Sequence, residues 1–360
     1  MTASTSAIAE RTRSFCTRFN LRVPILLAPM AGVPSPALSI AVANAGGLGS
    51  CGVLLMQPDD IKAWADEVRG KTNGAFQLNI WIPDPPPRRD AAHEARVREF
   101  LGQWGPSVPP EAADAKPPDF AAQCEAMLAA GPPIVSSVMG LYPPDFVARL
   151  KPKGIVWFAN ISTVAEARAA EAAGADVIVA QGAEAGGHRG CFDASLAERE
   201  LVGLFSLLPA VVDAVKLPVV ATGGIADGRG VAAALMLGAS AAQIGTGFLR
   251  TPEAKINAVW ADALATTAPE GTLLSRAFSG RAGRAIAVDY ARAAAAPDAP
   301  RPAPYPVQRA LTAAMRSAAL KDGDIRRMQA WAGQSAALAR AEPASMLLAR
   351  IWQDAQALLG

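Results

Sequence analysis

Short apolar runs alternate with alanine-rich amphipathic stretches along most of this chain. The apolar runs are Ile25–Ala28, Gly47–Cys51, Phe76–Ile80, Ile134–Val138, Ile155–Ala159, Val177–Gln181, Val219–Thr222 and Ala242–Gly245. Each has the length of a strand, and most are apolar at consecutive positions, the pattern of a parallel sheet covered on both faces. Between them the periodicity predicts helices. Pro36–Ala45 follows the first strand, and Pro58–Arg69 follows the second with Pro58 suited to a first helical turn. Thr163–Ala173 and Asp227–Leu237 run into Gly174 and Gly238, residues that cap helix C-termini. Eight strands alternating with helices over about 250 residues predict an α/β protein, a (β/α)8 TIM barrel in place of an open doubly wound sheet. A dinucleotide-binding sheet would carry G-x-G-x-x-G after an early strand, and the first strand here leads into Pro29-Met30-Ala31-Gly32.

Two regions break the alternation. Pro83–Pro118, dense in proline and mixed charge, reads as an insertion after the third strand, with a helical piece at Arg96–Trp104 and His93 as a solvated loop residue. The chain after Thr251 reads as a C-terminal helical extension. It holds an Ala/Pro linker, Ala293–Pro306, and helical stretches at Val307–Leu320, Asp324–Ala341 and Pro343–Leu359. The expected division is therefore a barrel at 15–82 and 119–250, an insertion at 83–118 and a helical lid or extension at 251–360. Such additions cover a barrel mouth or make a subunit contact, and the alanine-rich helices suit a homodimer.

Of 360 residues 51% are hydrophobic and 18% charged, enough for a large core. The net charge of +2, with no block of lysine and arginine, speaks against a nucleic-acid partner. Cys16, Cys51, Cys124 and Cys191 are scattered without a C-x-x-C pair, which fits reduced thiols in a cytoplasmic protein and neither a disulfide framework nor a metal site. Cys191 lies three residues beyond His188, so a thiolate–imidazole pair is one reading of that segment, although no hydrolase-type elbow surrounds it. The stretch Met1 to Phe19 reads as a frayed terminus without the apolar region of a signal peptide. No run of 18 apolar residues occurs, so no membrane span is expected.

Candidate chemistry converges after the sixth, seventh and eighth strands. The sixth leads into Gln181-Gly182-Ala183-Glu184-Ala185-Gly186-Gly187-His188-Arg189-Gly190, where four glycines flank one of the chain's two histidines. Such a loop lets backbone approach a ligand beside a group that titrates near physiological pH. The seventh leads into Thr222-Gly223-Gly224 and the eighth into Gln243-Ile244-Gly245-Thr246-Gly247. In a barrel of this kind those two turns form a phosphate site from backbone N–H groups, to which Thr246 adds a hydroxyl. Glu184 reads as a loop support and Arg189 as part of a loop-fixing ion pair. A phosphate-ligand-binding barrel without catalysis is the reading from another class, and His188 in the loop nearest the ligand is the feature against it.

The segments Ala28-Pro29-Met30-Ala31-Gly32-Val33, Asn44-Ala45-Gly46-Gly47-Leu48-Gly49, Ala180 to Gly190 and Ala221 to Leu249 resemble the nitronate monooxygenase family, with a shorter echo in Trp331-Ala332-Gly333-Gln334. The resemblance implies a barrel holding flavin mononucleotide (FMN) that oxidises alkyl nitronates with O2 to carbonyl compounds and nitrite. It also implies site roles. Pro29, Met30 and Ala31 would pass along the flavin ring, Asn79 would meet the flavin from the third strand, and Gln181 would hydrogen-bond the ring or ribityl chain. Gly186 and Gly187 would let backbone approach, while Gly223, Gly224, Gln243, Gly245 and Thr246 would hold the ribityl phosphate and nearby groups. His188 would face substrate, as a base toward a nitroalkane or as a cation toward a nitronate. Two segments depart from the family pattern: Val135-Ser136-Ser137-Val138-Met139-Gly140 lacks an aromatic, and Ala282 replaces a proline in Ser279-Gly280-Arg281-Ala282-Gly283-Arg284. A related reading is an FMN-dependent NAD(P)H reductase of enoyl thioesters or quinones.

Overall fold

The computed structural model describes residues 3–33 and 35–360. The strands in chain order are β1 (Ile25–Leu27), β2 (Gly49–Gly52), β3 (Phe76–Trp81), β4 (Ile134–Val138), β5 (Val156–Ile161), β6 (Val177–Gln181), β7 (Gly187–His188), β8 (Val219–Thr222), β9 (Ala241–Ile244), β10 (Thr272–Ser275) and β11 (Gly283–Ile286). Eight of them pair in parallel in the order β1-β9-β8-β6-β5-β4-β3-β2. A bridge between Leu26 and Leu48, with the Leu27 N–H donating to the Leu48 carbonyl at 2.9 Å, closes the circle. The fold is the expected TIM barrel. The remaining strands form a small antiparallel sheet, β10-β11-β7, over its mouth.

The barrel interior has two layers. Toward the N-terminal ends of the strands, Leu26, Leu48, Ile134, Phe158, Val177, Val179, Val220 and Ala241 form one buried cluster with Phe15 and Phe19. Those two rings enter from below, 6.4 and 5.1 Å from the ring of Phe158. The N-terminal segment is therefore not frayed over its described residues. Ala3–Arg18 is a helix that plugs the barrel floor, held also by Arg11 donating to the carbonyls of Leu235 and Ala239. Met1 and Thr2 lie outside the described residues. Two positions above the apolar layer the inward side chains turn polar: Ser136 follows Ile134, Asn160 follows Phe158, Gln181 follows Val179, Thr222 follows Val220 and Gln243 follows Ala241. The period of two along a strand sets this alternation.

The last helix, Ala344–Leu359, is not a lid. It packs between the barrel helices Gly228–Met236 and Pro36–Asn44 and buries Leu347, Leu348, Ile351 and Ala355 in the main core. It thus fills the outer-layer place expected of a helix directly after β9, and roughly a hundred residues are looped out before it. That excursion shares one hydrophobic cluster with the proline-rich insertion, in which Val97, Leu101 and Val108 meet Phe278, Tyr290, Leu311 and Met315. His93 sits in a helix, Ala91–Leu101, and its Nε2 bonds the Arg301 carbonyl at 2.8 Å, so it ties insertion to tail where a solvated loop was expected. The expected helix over Asp324–Ala341 is absent. Two short 3-10 turns, Ile325–Arg327 and Ala336–Leu338, flank an extended run that joins the edge of β11 through the Ile286 N–H to the Ala330 carbonyl and the Ala332 N–H to the Arg284 carbonyl. Among the described residues no helix is long and apolar enough to cross a membrane.

Candidate active site

A cavity of about 490 Å3 opens at the C-terminal ends of the barrel strands, the face on which TIM barrels carry their sites. Its floor is the polar layer: Gln77, Asn79, Ser136, Asn160, Gln181, Thr222 and Gln243, all buried. Within it Gln77 Nε2 donates to Gln243 Oε1 at 3.2 Å, and Asn79 Nδ2 donates to Ser136 Oγ at 2.9 Å. Gln77 Oε1 and Asn160 Nδ2 are buried with no hydrogen-bond partner among the described residues. Orphaned groups of this kind, one acceptor and one donor on a cavity floor, are suited to a polar ligand.

One end of the cavity is built from tight turns. Gly223 and Gly224 hold φ of +108° and +70°, which a side chain would strain, and turn the backbone after β8. Gly186 is needed for closeness: a β-carbon there would lie 2.4 Å from the Gly333 nitrogen and 2.9 Å from Thr246 Oγ1. The tail closes over these turns. The Gly333 N–H donates to Thr246 Oγ1 at 3.0 Å, the Gln334 N–H to the Glu184 carbonyl at 3.0 Å, and Ser335 Oγ to the Gly224 carbonyl at 2.5 Å.

At the other end stands His188. The loop after β6 does not float, because its residues Gly187 and His188 are β7, paired with Arg284 and Gly283 of β11. Arg284 also donates to the Ala183 carbonyl and to Thr272 Oγ1. Gln181 pins the same loop from beneath, donating to the His188 carbonyl at 3.1 Å and accepting from the Gly190 N–H at 2.7 Å. Arg189 is buried and donates to the carbonyls of Gln181, Ser162 and Glu200, so it fixes the loop through backbone oxygens in place of the expected ion pair. Glu184 accepts from the Leu204 N–H and leaves the imidazole alone.

The imidazole lies between Trp81, 4.5 Å away edge-on, and Trp331, 4.6 Å away, with Nε2 2.8 Å from Ser279 Oγ. Tyr305 packs tilted against Trp81, with ring centroids 5.1 Å apart. Burial pushes the His188 pKa down to about 3, and the guanidinium groups of Arg309 and Arg281 add to the effect. The side chain is therefore neutral at pH 7. Arg281 is itself fully buried and paired with Asp84 at 2.5 and 2.8 Å, which anchors the Ser279 turn to the start of the insertion. Cys191 plays no part in the imidazole's environment. Its thiol is buried beside Ala197 and Ala282, points to the Asp193 carbonyl, and is pushed up to about 11 by burial.

The cavity brings together every expected site residue: Pro29, Met30, Ala31, Asn79, Gln181, Gly186, Gly187, His188, Gly223, Gly224, Gln243, Gly245 and Thr246 all line it. Sequence reasoning missed Gln77, Ser136 and Asn160, whose signal was a polar residue two positions beyond, or one strand across from, an inward apolar one. It also missed Trp81, Ser279, Tyr305, Arg309, Arg316 and Ser335. The aromatic wall absent after β4 is supplied by Trp81, Trp331 and Tyr305.

A closed parallel barrel with a polar floor, glycine turns after β6, β8 and β9 and a neutral histidine in the cavity wall defines a TIM barrel with a site at the C-terminal ends of its strands. The family model for nitronate monooxygenase matches residues 13–354. The chain belongs to the nitronate monooxygenase family. It is 41% identical over 337 residues to the nitronate monooxygenase of Paraburkholderia phytofirmans, covering 92% of both chains. It is 38% identical over 351 residues to that of Pseudomonas aeruginosa, covering 95% of this chain and 99% of the relative. Among solved structures, nitroalkane oxidase from Streptomyces ansochromogenes matches with a TM-score of 0.85 at 36% identity, over 95% of this chain and 98% of that one. FabK from Thermotoga maritima matches with a TM-score of 0.75 at 27% identity, over 96% of each.

Proposed function

We propose that this protein is an FMN-dependent monooxygenase of alkyl nitronates, consuming O2 and releasing a carbonyl compound and nitrite. The observation that carries the reading is the placement of a neutral, aromatic-walled His188 in the same cavity as the glycine turns after β8 and β9. Family membership and the likeness to a nitroalkane oxidase support the same reaction class. The flavin fits the residues present. The orphaned Gln77 Oε1 and Asn160 Nδ2 match a ligand with both donors and acceptors, and the turns at Gly223–Gly224 and Gly245–Thr246, clasped by Gly333 and Ser335, suit its phosphate. Pro29, Met30 and Ala31 would border the ring, and Asn79, Gln181 and Gln243 would reach its polar edge or the ribityl chain. When bound, the flavin supplies the electron transfer between nitronate and O2.

The residues of the chain do the rest. Trp81, Trp331 and Tyr305 exclude water from the reacting carbon. His188, uncharged in the free protein, accepts the α-proton when a neutral nitroalkane enters; toward a nitronate no proton need be removed, and the imidazole serves as a hydrogen-bonding group. The negative charge that develops on the nitro group as the α-proton leaves offsets the charges of Arg309 and Arg281, which favours the proton on His188. Protein loaded with FMN and desalted should stay yellow and form nitrite from an alkyl nitronate in air. Protein that remains colourless after loading would remove the proposal.

A further inference from the structure

Two cationic side chains in the cavity wall have no anionic partner among the described residues. Arg309, in the helix Val307–Leu311, and Arg316, in the helix Ala313–Asp322, both line the cavity and are half-buried. Arg316 donates to Thr312 Oγ1, to Gln329 Oε1 and to the Arg309 carbonyl, all uncharged. The guanidinium of Arg309 makes no hydrogen bond and no ion pair among the described residues. The deeper arginines of this region each have partners, Arg281 in Asp84, Arg189 in three carbonyls that leave only its Nε unbonded, and Arg284 in a carbonyl and a hydroxyl. A guanidinium left half-desolvated without a partner costs stability, and burial accordingly weakens the hold of both Arg309 and Arg316 on their protons. The neighbours of Arg309 place it on the substrate side. Tyr305, one turn earlier, packs on Trp81, which packs on His188. The turns suited to phosphate are instead clasped by Gly333 and Ser335, a different segment of the tail.

We propose that Arg309, backed by the positive charge of Arg316, is the anion seat of this cavity and selects the nitronate anion over the neutral nitroalkane. The division of labour follows from charge. His188, being neutral, cannot hold an anion by Coulomb attraction, whereas an unpaired guanidinium can offer a nitronate two parallel N–H donors. The inference rests on the reading that the cavity takes alkyl nitronates.

The test compares FMN-loaded wild type, Arg309→Gln and Arg309→Lys. Titration with sodium nitrate, a planar anion, is followed by the change in flavin absorbance, and KM is measured for an alkyl nitronate and for the parent nitroalkane. Arg309→Gln should keep its flavin while the nitrate dissociation constant and the nitronate KM rise together by about 10- to 100-fold, the loss of the charge-assisted pair of hydrogen bonds, with the nitroalkane KM moving less than about threefold. Arg309→Lys should recover the part of the loss that is due to charge and not the part due to the two-donor fork. Unchanged nitrate binding in Arg309→Gln, an equal loss on both substrates, or departure of the flavin from the Gln variant would each overturn the proposal. Wild type that binds nitrate through Arg309 but turns over no nitronate would refute the functional reading and leave the anion seat standing.

Discussion

His188 is held by one hydrogen bond and two indole rings, in surroundings that discharge it. With its pKa near 3 against about 6.5 in the unfolded chain, the folded protein fails to take up a proton that the unfolded chain binds as pH falls below about 6.5. Wild type should therefore lose stability between those values through this group, and the difference in thermal midpoint between wild type and His188→Gln should shift against wild type as pH is lowered from 7 to 4. A constant difference would place the imidazole in water. In catalysis, His188→Asn should retain flavin and lose activity most on neutral nitroalkanes, measured as kcat/KM against nitronate; equal activity of variant and wild type on both forms would remove His188 from the reaction. Replacing Arg309 by Gln withdraws a cation from beside the ring, so the His188 pKa should rise in that variant, read by imidazole NMR shifts. The place of His188 in the cavity was legible in the sequence because a rare histidine stood among glycines at a strand end. Its protonation state was not, since it depends on Trp81, Trp331 and Arg309, which lie over a hundred residues away on either side.

At the scale of elements, the loop after β6 works because the chain makes it a strand. Gly186 and Gly187 are adjacent but should answer mutation differently. A methyl at Gly186 meets backbone of Gly333 and Ala332, and would push the tail off Thr246 and Gly224. At Gly187 a methyl meets nothing, and the cost is the positive φ of +75°, about 1–2 kcal/mol. Gly186→Ala should therefore lose flavin on desalting and melt lower than Gly187→Ala, which visible absorbance and calorimetry would report. The barrel strands were legible element by element, because parallel strands covered on both faces leave continuous apolar runs. The Trp331–Ser335 segment was not: alanines at 330, 332 and 336 suggest a helix, but pairing with β11 and the clasp on Thr246 and Gly224 override that local preference.

For the whole molecule, the site is made by two layers that the chain order keeps apart. The barrel supplies the polar floor, the glycine turns and Trp81, while the region before the last helix supplies the rest of the aromatic and cationic roof. The last helix then returns to seal the barrel wall. Leu347, Leu348 and Ile351 are each worth about 1.5–3 kcal/mol of burial, together a large share of a typical domain's net stability. Truncation after Glu342 should consequently unfold or aggregate the protein, seen by circular dichroism and size exclusion, whereas a mere lid would come away and leave a folded barrel. The central claim, that this cavity turns alkyl nitronates over with O2, is tested most directly by an oxygen electrode. FMN-loaded protein given an alkyl nitronate should consume O2 with matching release of nitrite, and under nitrogen NADH should leave the flavin oxidised. Rapid bleaching by NADH with no O2 uptake on nitronate would contradict the account and point to a reductase on the same barrel.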